Sequence, residues 1–312
     1  MMASVAGHAL ELIAPGLYRF DTGYLRKNHT AVYLLVDQGQ VAILDTGVPA
    51  NVPGLLEVIE VLGCSADNVA YVIPTHVHLD HAGGAGALMQ ALPQARLGVH
   101  PSGADHMVDP SQLEVGVRAL YGDAFFDREY TPVTAVAADR VEPLDDGRVL
   151  QIGGRTLEVV YTPGHAWHQL GLLDHDSGKF IAGDAFGAGY PGFGDEGAPF
   201  VVPVVPPPQF KPEAYRDTLA RIVQSAPAQV APAHFPLITE VASVAATLEA
   251  MLDAGIEATW AADSVDDLER RLQTVWYDWL TTGADWSAYI KAYGKDIWLT
   301  AEGMWLWREK QR

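Results

Sequence analysis

The chain has 312 residues, which is long enough for one large domain or for one domain with a smaller appendage. Apolar residues make up 49% of it, so the composition supports a sizeable core and excludes wholesale disorder. Lysine and arginine total 20 against 39 aspartates and glutamates, which gives a formal net charge of −19. Because such an acidic surface repels phosphate backbones and anionic lipid headgroups, we expect neither nucleic acid nor a membrane surface as a partner.

Cysteine usage and the N-terminal sequence bear on the compartment. Cys64 is the only cysteine, which excludes an intrachain disulfide and a cysteine-rich metal cluster. The N-terminal sequence has no basic start and no continuous apolar run, so it does not match a secretion signal. The chain also has no uninterrupted apolar window of about 18 residues, the length that a membrane span requires. We therefore expect a soluble, cytoplasmic protein.

The first predicted elements alternate between strands and a helix. Residues 31–36 and 41–44 are β-rich runs joined by a polar turn. A helix is predicted from about Pro53, with apolar residues along one face and Gly63 at its end. Residues 69–74 form the next buried strand, which leads directly into a histidine-rich segment. This order favours an α/β fold built in layers.

The pattern from Arg148 to Asp184 is that of two β-hairpins, followed by a segment of different composition. Between Gly187 and Pro212, glycines are frequent first and prolines later, so we predict a long loop without regular structure. Pro212 is expected to start a helix, and a short strand is expected near Val230.

Beyond about residue 240 the apolar residues recur with the period of a helix. Ser264, followed three residues later by an aspartate, resembles a capping box. Tryptophans are concentrated near the C-terminus, and we expect their rings to pack on the preceding domain or across a homodimer. The predicted organisation is an α/β domain over residues 1–240 and a helical C-terminal extension over residues 241–312.

The strongest chemical signal is a histidine-rich motif directly after the strand at 69–74. It places four metal-ligand side chains within six residues: His76, His78, Asp80 and His81. Imidazole and carboxylate suit zinc, iron and manganese, and the lack of thiolate in the motif points to an open catalytic site. The alternative, incidental histidines in a polar loop, is the weaker interpretation at this spacing.

Three further ligand-type residues stand at predicted strand ends, where site residues commonly lie: His165, Asp184 and His234. The total of five histidines and two aspartates is enough for two metal ions that share one carboxylate. His168 competes with His165 for the ligand role. We favour His165 because it follows a Pro-Gly turn, whereas His168 is expected inside the following strand.

In their order and spacing, these motifs resemble the metallo-β-lactamase fold superfamily over about residues 15–236. The resemblance implies an αββα sandwich and a dinuclear centre, in the branch of the glyoxalase-II-like and lactonase-like hydrolases. It further implies that Asp184 bridges the two ions, and that Asp45 supports the ligands without binding a metal. The ligands it implies are His76, His78 and His165 for one ion and Asp80, His81 and His234 for the other.

Two divalent ions, most simply Zn²⁺ with iron or manganese as alternatives, can turn a bridging water into hydroxide near neutral pH. We therefore expect a metal-dependent hydrolase that acts on an ester, thioester or lactone, with Asp80 and Asp184 as the catalytic carboxylates. The lactonase interpretation is weakened by Gly187, because many lactonases carry a tyrosine at that position. Two alternatives stay open: a di-iron redox enzyme of the same fold, and a metal-bound binding module without turnover.

The segment from Phe186 to Phe210 is expected to form a wall of the substrate pocket, because it begins two residues after Asp184. Phe186, Tyr190 and Phe193 would supply an apolar lining, and by resemblance Tyr24 would close the opposite side. The substrate is thus expected to be a small molecule with an apolar group. The alternative is that these aromatic rings only anchor the segment to the core.

Overall fold

A computed structural model of the protein describes residues 2–280 and 283–312. They divide into two compact units. The first unit runs to Tyr161 and also contains His168–Ser177, and the second contains Thr162–Trp167 and Gly178–Arg312. Both units combine strands with helices, so the predicted α/β class with a helical C-terminal region is confirmed. The predicted boundary at residue 240 stays a prediction.

The first unit contains an eight-stranded sheet whose strands follow one another in chain order. Neighbours from β1 to β5 are antiparallel, whereas β5 to β8 are mutually parallel. The strands are β1 (Met2–Val5), β2 (His8–Ala14), β3 (Leu17–Asp21), β4 (Ala31–Asp37), β5 (Gln40–Leu44), β6 (Val69–Ile73), β7 (Arg96–Val99) and β8 (Val141–Pro143).

Helices connect the parallel strands of this sheet, because a parallel pair requires a crossover. They are α1 (Val52–Val61), α2 (Leu79–Ala82), α3 (Ala85–Ala91), α4 (Ala104–Val108), α5 (Ser111–Tyr121) and α6 (Asp123–Glu129). The main core lies between the sheet and these helices, where Leu34, Ile43, Leu55 and Leu88 are fully buried. The helix predicted from Pro53 is thus confirmed as α1.

Three antiparallel strands complete the first unit: β9 (Val149–Ile152), β10 (Arg155–Tyr161) and β11 (Leu170–Asp174). The turn between β9 and β10 lies at Gly153 and Gly154, as the sequence predicts. Both glycines pack against the turn that joins β4 to β5, where Gly154 N donates to Asp37 Oδ2 at 2.7 Å.

In the second unit, β12 (Lys179–Gly183) pairs in parallel with β15 (Gln229–Pro232), and α7 (Pro212–Gln224) lies in the connection between them. Three long helices follow: α8 (Val241–Ala261), α9 (Val265–Tyr277) and α10 (Trp286–Glu309). The predicted helix start at Pro212 and the predicted strand near Val230 are both confirmed. None of the helices in the described ranges has the length and apolar composition needed to cross a membrane.

The prediction of an irregular segment from Gly187 to Pro212 is wrong for its first half. Residues 188–202 form an antiparallel hairpin of β13 (Ala188–Asp195) and β14 (Ala198–Val202). The register shifts between Gly189 and Gly194, and a side chain at Gly194 would overlap the backbone of the opposite strand. The glycines therefore permit a bulged hairpin rather than preventing strand formation.

The C-terminal helices pack on one another and on β14 within the second unit. Trp276 is fully buried, and its indole Nε1 donates to Met251 O at 3.1 Å. Trp279 and Trp286 remain exposed, at 39% and 43%, so only part of the aromatic residues is covered within the unit. The Ser264 side chain accepts a hydrogen bond at the start of α9, as predicted.

Candidate metal centre

The first ligand cluster, defined as His76, His78, Asp80 and His81, begins where β6 ends. The path of the chain from β6 into this cluster is fixed by its parallel neighbour β5. Asp45, which directly follows β5, continues the pairing beyond the last residue of that strand. Asp45 N donates to Ile73 O at 2.9 Å, and its carboxylate Oδ1 accepts from Thr75 N at 2.7 Å. Asp45 holds a positive φ of 64°, so the chain turns sharply at this point.

The four side chains of the first ligand cluster approach one another in pairs. His76 Nε2 lies 2.9 Å from His78 Nδ1, and His81 Nε2 lies 3.4 Å from Asp80 Oδ2. His76 and His81 are fully buried, whereas His78 and Asp80 are half-buried. Two ligand atoms on one tetrahedral zinc ion lie about 3.4 Å apart, as follows from metal–ligand distances near 2.1 Å. The distance between His81 and Asp80 matches this spacing, whereas the distance between His76 and His78 is shorter and is that of a hydrogen bond.

Hydrogen bonds to the opposite ring nitrogens orient two of these imidazoles. Thr75 Oγ1 lies 3.1 Å from His76 Nδ1, and Asp45 Oδ2 lies 3.1 Å from His81 Nδ1. Each contact engages Nδ1 and leaves Nε2 turned toward the other ligands. Carboxylate or hydroxyl support of this kind is typical of metal-binding histidines. Asp45 thus occupies the supporting role that the resemblance implies.

The second ligand cluster, defined as His165, Asp184 and His234, is assembled at strand ends of the second unit. Asp184 follows β12 and His234 follows β15, and Ala233 N donates to Gly183 O at 3.0 Å. Because the two strands are parallel neighbours, their carboxyl ends bring these two side chains to the same edge. His165 lies in the turn formed by residues 162–167, where Gly164 adopts a positive φ against the backbone of Tyr215.

The geometry around Asp184 is that of a carboxylate shared between two imidazoles. Its Oδ2 lies 3.4 Å from His165 Nε2, and its Oδ1 lies 3.5 Å from His234 Nε2. All three side chains are buried, and His165 Nδ1 is 2.7 Å from Val204 O, which fixes Nε2 toward the carboxylate. Since each oxygen faces a different histidine at a ligand–ligand distance, this donor set fits a bridging carboxylate.

His168 occupies a different place from the one predicted. It lies in the turn before β11 rather than inside a strand, so that expectation is wrong. The physical reason is that β11 pairs with β10 only from Leu170 onward. The side chain of His168 is buried beside the first ligand cluster, and its ring is stacked on that of His76 at a centroid distance of 6.2 Å. Its Nδ1 also lies 3.4 Å from Val77 N. His165 is the residue whose Nε2 faces Asp184.

Tyr24, one of the four predicted substrate residues, is buried, and the other three lie in packed surroundings. Phe186 is fully buried, Tyr190 donates from its hydroxyl to Asp296 Oδ2 at 2.8 Å, and Phe193 lies edge-on to Tyr293 at 5.2 Å. The last two contacts are with α10 and correspond to the anchoring alternative. Whether these rings also line a substrate pocket stays a prediction.

Two tyrosines that the sequence analysis did not single out lie near the predicted ligands. The hydroxyl of Tyr130 is 2.5 Å from that of Tyr24. Tyr215, at the start of α7, is buried, and burial together with the negative charge of Asp184 raises the pKa of its hydroxyl. Tyr130 lies at the end of a short helix with no chemical motif around it, so no sequence signal marks it.

The geometry agrees with the comparison to known families. The sequence model of the metallo-beta-lactamase superfamily matches residues 25–234, a range that holds all seven predicted ligands. The chain belongs to this superfamily. Among its described residues, histidine and aspartate side chains form groups that could hold a metal ion.

Individual metallo-beta-lactamase relatives are distant. The uncharacterized protein YobT of Bacillus subtilis (strain 168) is 28% identical over 159 residues, which cover 49% of this chain and 60% of YobT. The acyl-coenzyme A thioesterase MBLAC2 of Homo sapiens is 26% identical over 197 residues, which cover 59% of this chain and 68% of MBLAC2. A hydroxyacylglutathione hydrolase of Synechococcus sp. is 30% identical over 177 residues, which cover 56% of this chain and 55% of that protein.

A solved structure covers nearly the whole chain. The crystal structure of the metallo-beta-lactamase family protein TTHA1429 from Thermus thermophilus matches with a TM-score of 0.69 at 21% identity. The match covers 96% of this chain and 95% of that one, so the shared fold includes the C-terminal helices.

Proposed function

We propose that this protein is a metal-dependent hydrolase of small acyl compounds, namely esters, thioesters or lactones. The observation that carries the proposal is the setting of Asp184, whose two oxygens each face a different buried histidine at a ligand–ligand distance. Such a carboxylate suits two metal ions better than one. His76, His78 and His165 would hold the first ion, Asp80, His81 and His234 the second, and Asp184 would bridge them.

When bound, two divalent ions at such a centre supply an activated water and polarise the carbonyl of the substrate. The residues of the chain orient the metal-binding histidines and exclude water from them. Asp45 and the Val204 carbonyl hold the Nδ1 atoms of His81 and His165, which leaves their Nε2 atoms available as ligands. Burial of both histidines excludes competing water from these positions. Zinc suits this set of nitrogen and oxygen ligands, and iron and manganese are alternatives.

Among the three substrate classes, we favour the thioester. Two relatives are named for the hydrolysis of an acyl group carried by a larger thiol: coenzyme A for the human protein and glutathione for the Synechococcus protein. The net charge of −19 supports a small-molecule substrate rather than a nucleic acid or an anionic membrane. We also propose a cytoplasmic location, and a homodimer that covers the exposed rings of Trp279 and Trp286.

The experiment combines metal analysis with a substrate panel. Protein purified without chelator and reconstituted with zinc should bind two ions per chain and hydrolyse members of a panel of thioesters, esters, lactones and phosphoesters. Asp184→Asn should lower both the metal stoichiometry and kcat/KM. The matched control is Asp253→Asn, an exposed carboxylate on α8, which should change neither.

Other outcomes would identify the alternatives. One bound ion or fewer after reconstitution contradicts the dinuclear centre. Two bound ions with no turnover on the whole panel favour a binding module, and two irons with oxygen consumption favour a redox enzyme. Light scattering decides the homodimer, because a monomeric mass at high concentration contradicts it.

We further propose that Tyr24, Phe186, Tyr190 and Phe193 form an apolar lining for the acyl group. Tyr190→Ala and Phe193→Ala should raise KM for apolar substrates without changing the metal content. If both variants only lower the melting temperature and keep wild-type kinetics, these rings serve as anchors to α10.

A further inference from the structure

Two tyrosine hydroxyls meet inside the first unit, 106 residues apart in sequence. The hydroxyl oxygens of Tyr24 and Tyr130 are 2.5 Å apart, and the two rings lie at a centroid distance of 5.9 Å. Both residues are buried, with 6% and 4% of their surface exposed. Each of the two buried hydroxyls therefore has the other as its hydrogen-bond partner.

The proton count of this pair leaves one donor unused. Each phenol carries one hydroxyl proton, and the hydrogen bond between the two oxygens consumes only one of them. Within the described residues, neither hydroxyl has a second hydrogen-bond acceptor. Because a buried donor without an acceptor costs free energy, a ligand oxygen that accepts from this pair would be favoured.

The pair lies next to the first ligand cluster. Both tyrosines pack in one apolar cluster with Leu79, the residue between His78 and Asp80. Burial and, after it, the negative charge of Asp80 raise the pKa of both hydroxyls, so the pair remains protonated at neutral pH. The unused proton therefore belongs to a pair that packs in the same cluster as Leu79, between two predicted metal ligands in sequence.

The surroundings hold the two rings in place. Tyr24 lies in a loop fixed by Asp21, whose carboxylate oxygens accept from Gly23 N and Asn28 N, both at 3.0 Å. Tyr130 follows α6 directly, and its ring contacts that of Phe126 at a centroid distance of 6.0 Å. A donor fixed in this way before the substrate arrives needs no reorganisation during reaction.

We propose that the Tyr24–Tyr130 pair donates one hydrogen bond to the carbonyl oxygen of the acyl substrate, an inference that rests on the proposed hydrolase function. The hydroxyl that faces the substrate is the donor, and the other hydroxyl positions it. Tyr130 thereby becomes a donor or a positioning residue that no motif identifies.

The test compares Tyr24→Phe, Tyr130→Phe and the double variant with wild type, all loaded with zinc, on an uncharged butyryl thioester, S-butyryl-N-acetylcysteamine. At least one single variant should lose about 100-fold in kcat/KM, the range seen when one preorganised donor is removed. The double variant should be about as slow as the slower single variant, because both hydroxyls act through one donated proton. Zinc content should stay at the wild-type value. Tyr71→Phe, which removes a hydroxyl bond to Glu142 in the same unit, is the matched control and should keep wild-type kinetics.

Equilibrium binding of butyrate, measured by calorimetry on the zinc-loaded proteins, separates this inference from the proposed function. Its carboxylate offers the same acceptor oxygen, so the dissociation constant should rise several-fold in the double variant and stay unchanged in Tyr71→Phe. Butyrate binding without any turnover refutes the hydrolase but supports the donor if the variants weaken binding. Equal butyrate affinity in wild type and the double variant overturns the donor role, and so does a wild type that binds no butyrate.

Discussion

Replacement of Asp45 by asparagine tests the support of the metal ligands without changing the shape of the site. Asp45 is 1% exposed and joins Thr75 N to His81 Nδ1 through its two oxygens. Asparagine has the same size and adopts the left-handed conformation more readily than most residues, so the φ of 64° is retained. The backbone turn at the end of β5 should therefore survive the substitution.

The expected loss of metal affinity follows from which atoms donate and which accept in these hydrogen bonds. The asparagine side chain of the variant can still accept from Thr75 N with its oxygen, but its NH₂ group then points at His81 Nδ1. Two donors cannot face each other, so the imidazole must carry its proton on Nε2, and a protonated Nε2 cannot bind a metal ion. Loss of such a supporting carboxylate typically lowers metal affinity by 10- to 100-fold, about 1.4 to 2.7 kcal/mol.

The assay is a competition titration of zinc against a chromophoric chelator, combined with thermal unfolding of the metal-free proteins. The control is Asp174→Asn, which breaks the buried ion pair with Arg155 in the same unit. It should lower the melting temperature and leave the zinc affinity unchanged, whereas Asp45→Asn should lower the zinc affinity. A zinc affinity of Asp45→Asn equal to that of wild type would refute the tautomer argument.

Three further predictions concern stability. Ser264→Ala removes the N-cap of α9 and should cost about 1 kcal/mol in chemical unfolding. Gly303→Ala should destabilise by at least about 1–3 kcal/mol, because its methyl group would overlap Val205 O, whereas Gly294→Ala on the same helix meets only ordinary contact and should be neutral or stabilising. Burial lowers the pKa of His100, so its protonation opposes folding. Wild type should therefore lose more stability than His100→Asn as the pH falls below about 6.5, the unfolded-state value, and equal pH profiles would contradict this.

The positions of the ligands at strand ends could be predicted because each ligand follows a short apolar run that is typical of a strand. β12 is buried throughout and β6 and β15 are mostly buried, and His76, Asp184 and His234 follow the ends of these strands within three residues. Local pattern also identifies α1 and α7, whose starts carry proline. In these places the local preference of the chain and its tertiary environment agree.

The hairpin of β13 and β14 could not be predicted because its signals are ambiguous. Glycine lowers strand propensity on average, yet Gly189 and Gly194 are required where the opposite strand passes too close for any side chain. Whether a glycine marks a loop or a close backbone approach depends on the partner segment. Here the partner segment is residues 198–202, and it is held in place by its pairing with β13 and its packing against α8.

The walls of a binding site are harder to predict than its metal ligands, for a chemical reason. Imidazoles and carboxylates are seldom buried without a partner, so a group of them near strand ends is informative in itself. Burial of an aromatic ring does not by itself tell packing from binding, as Phe186 and Tyr190 illustrate. The Tyr24–Tyr130 pair differs from both rings because one of its two hydroxyl protons has no acceptor among the described residues. This property exists only once the fold brings the two hydroxyls together.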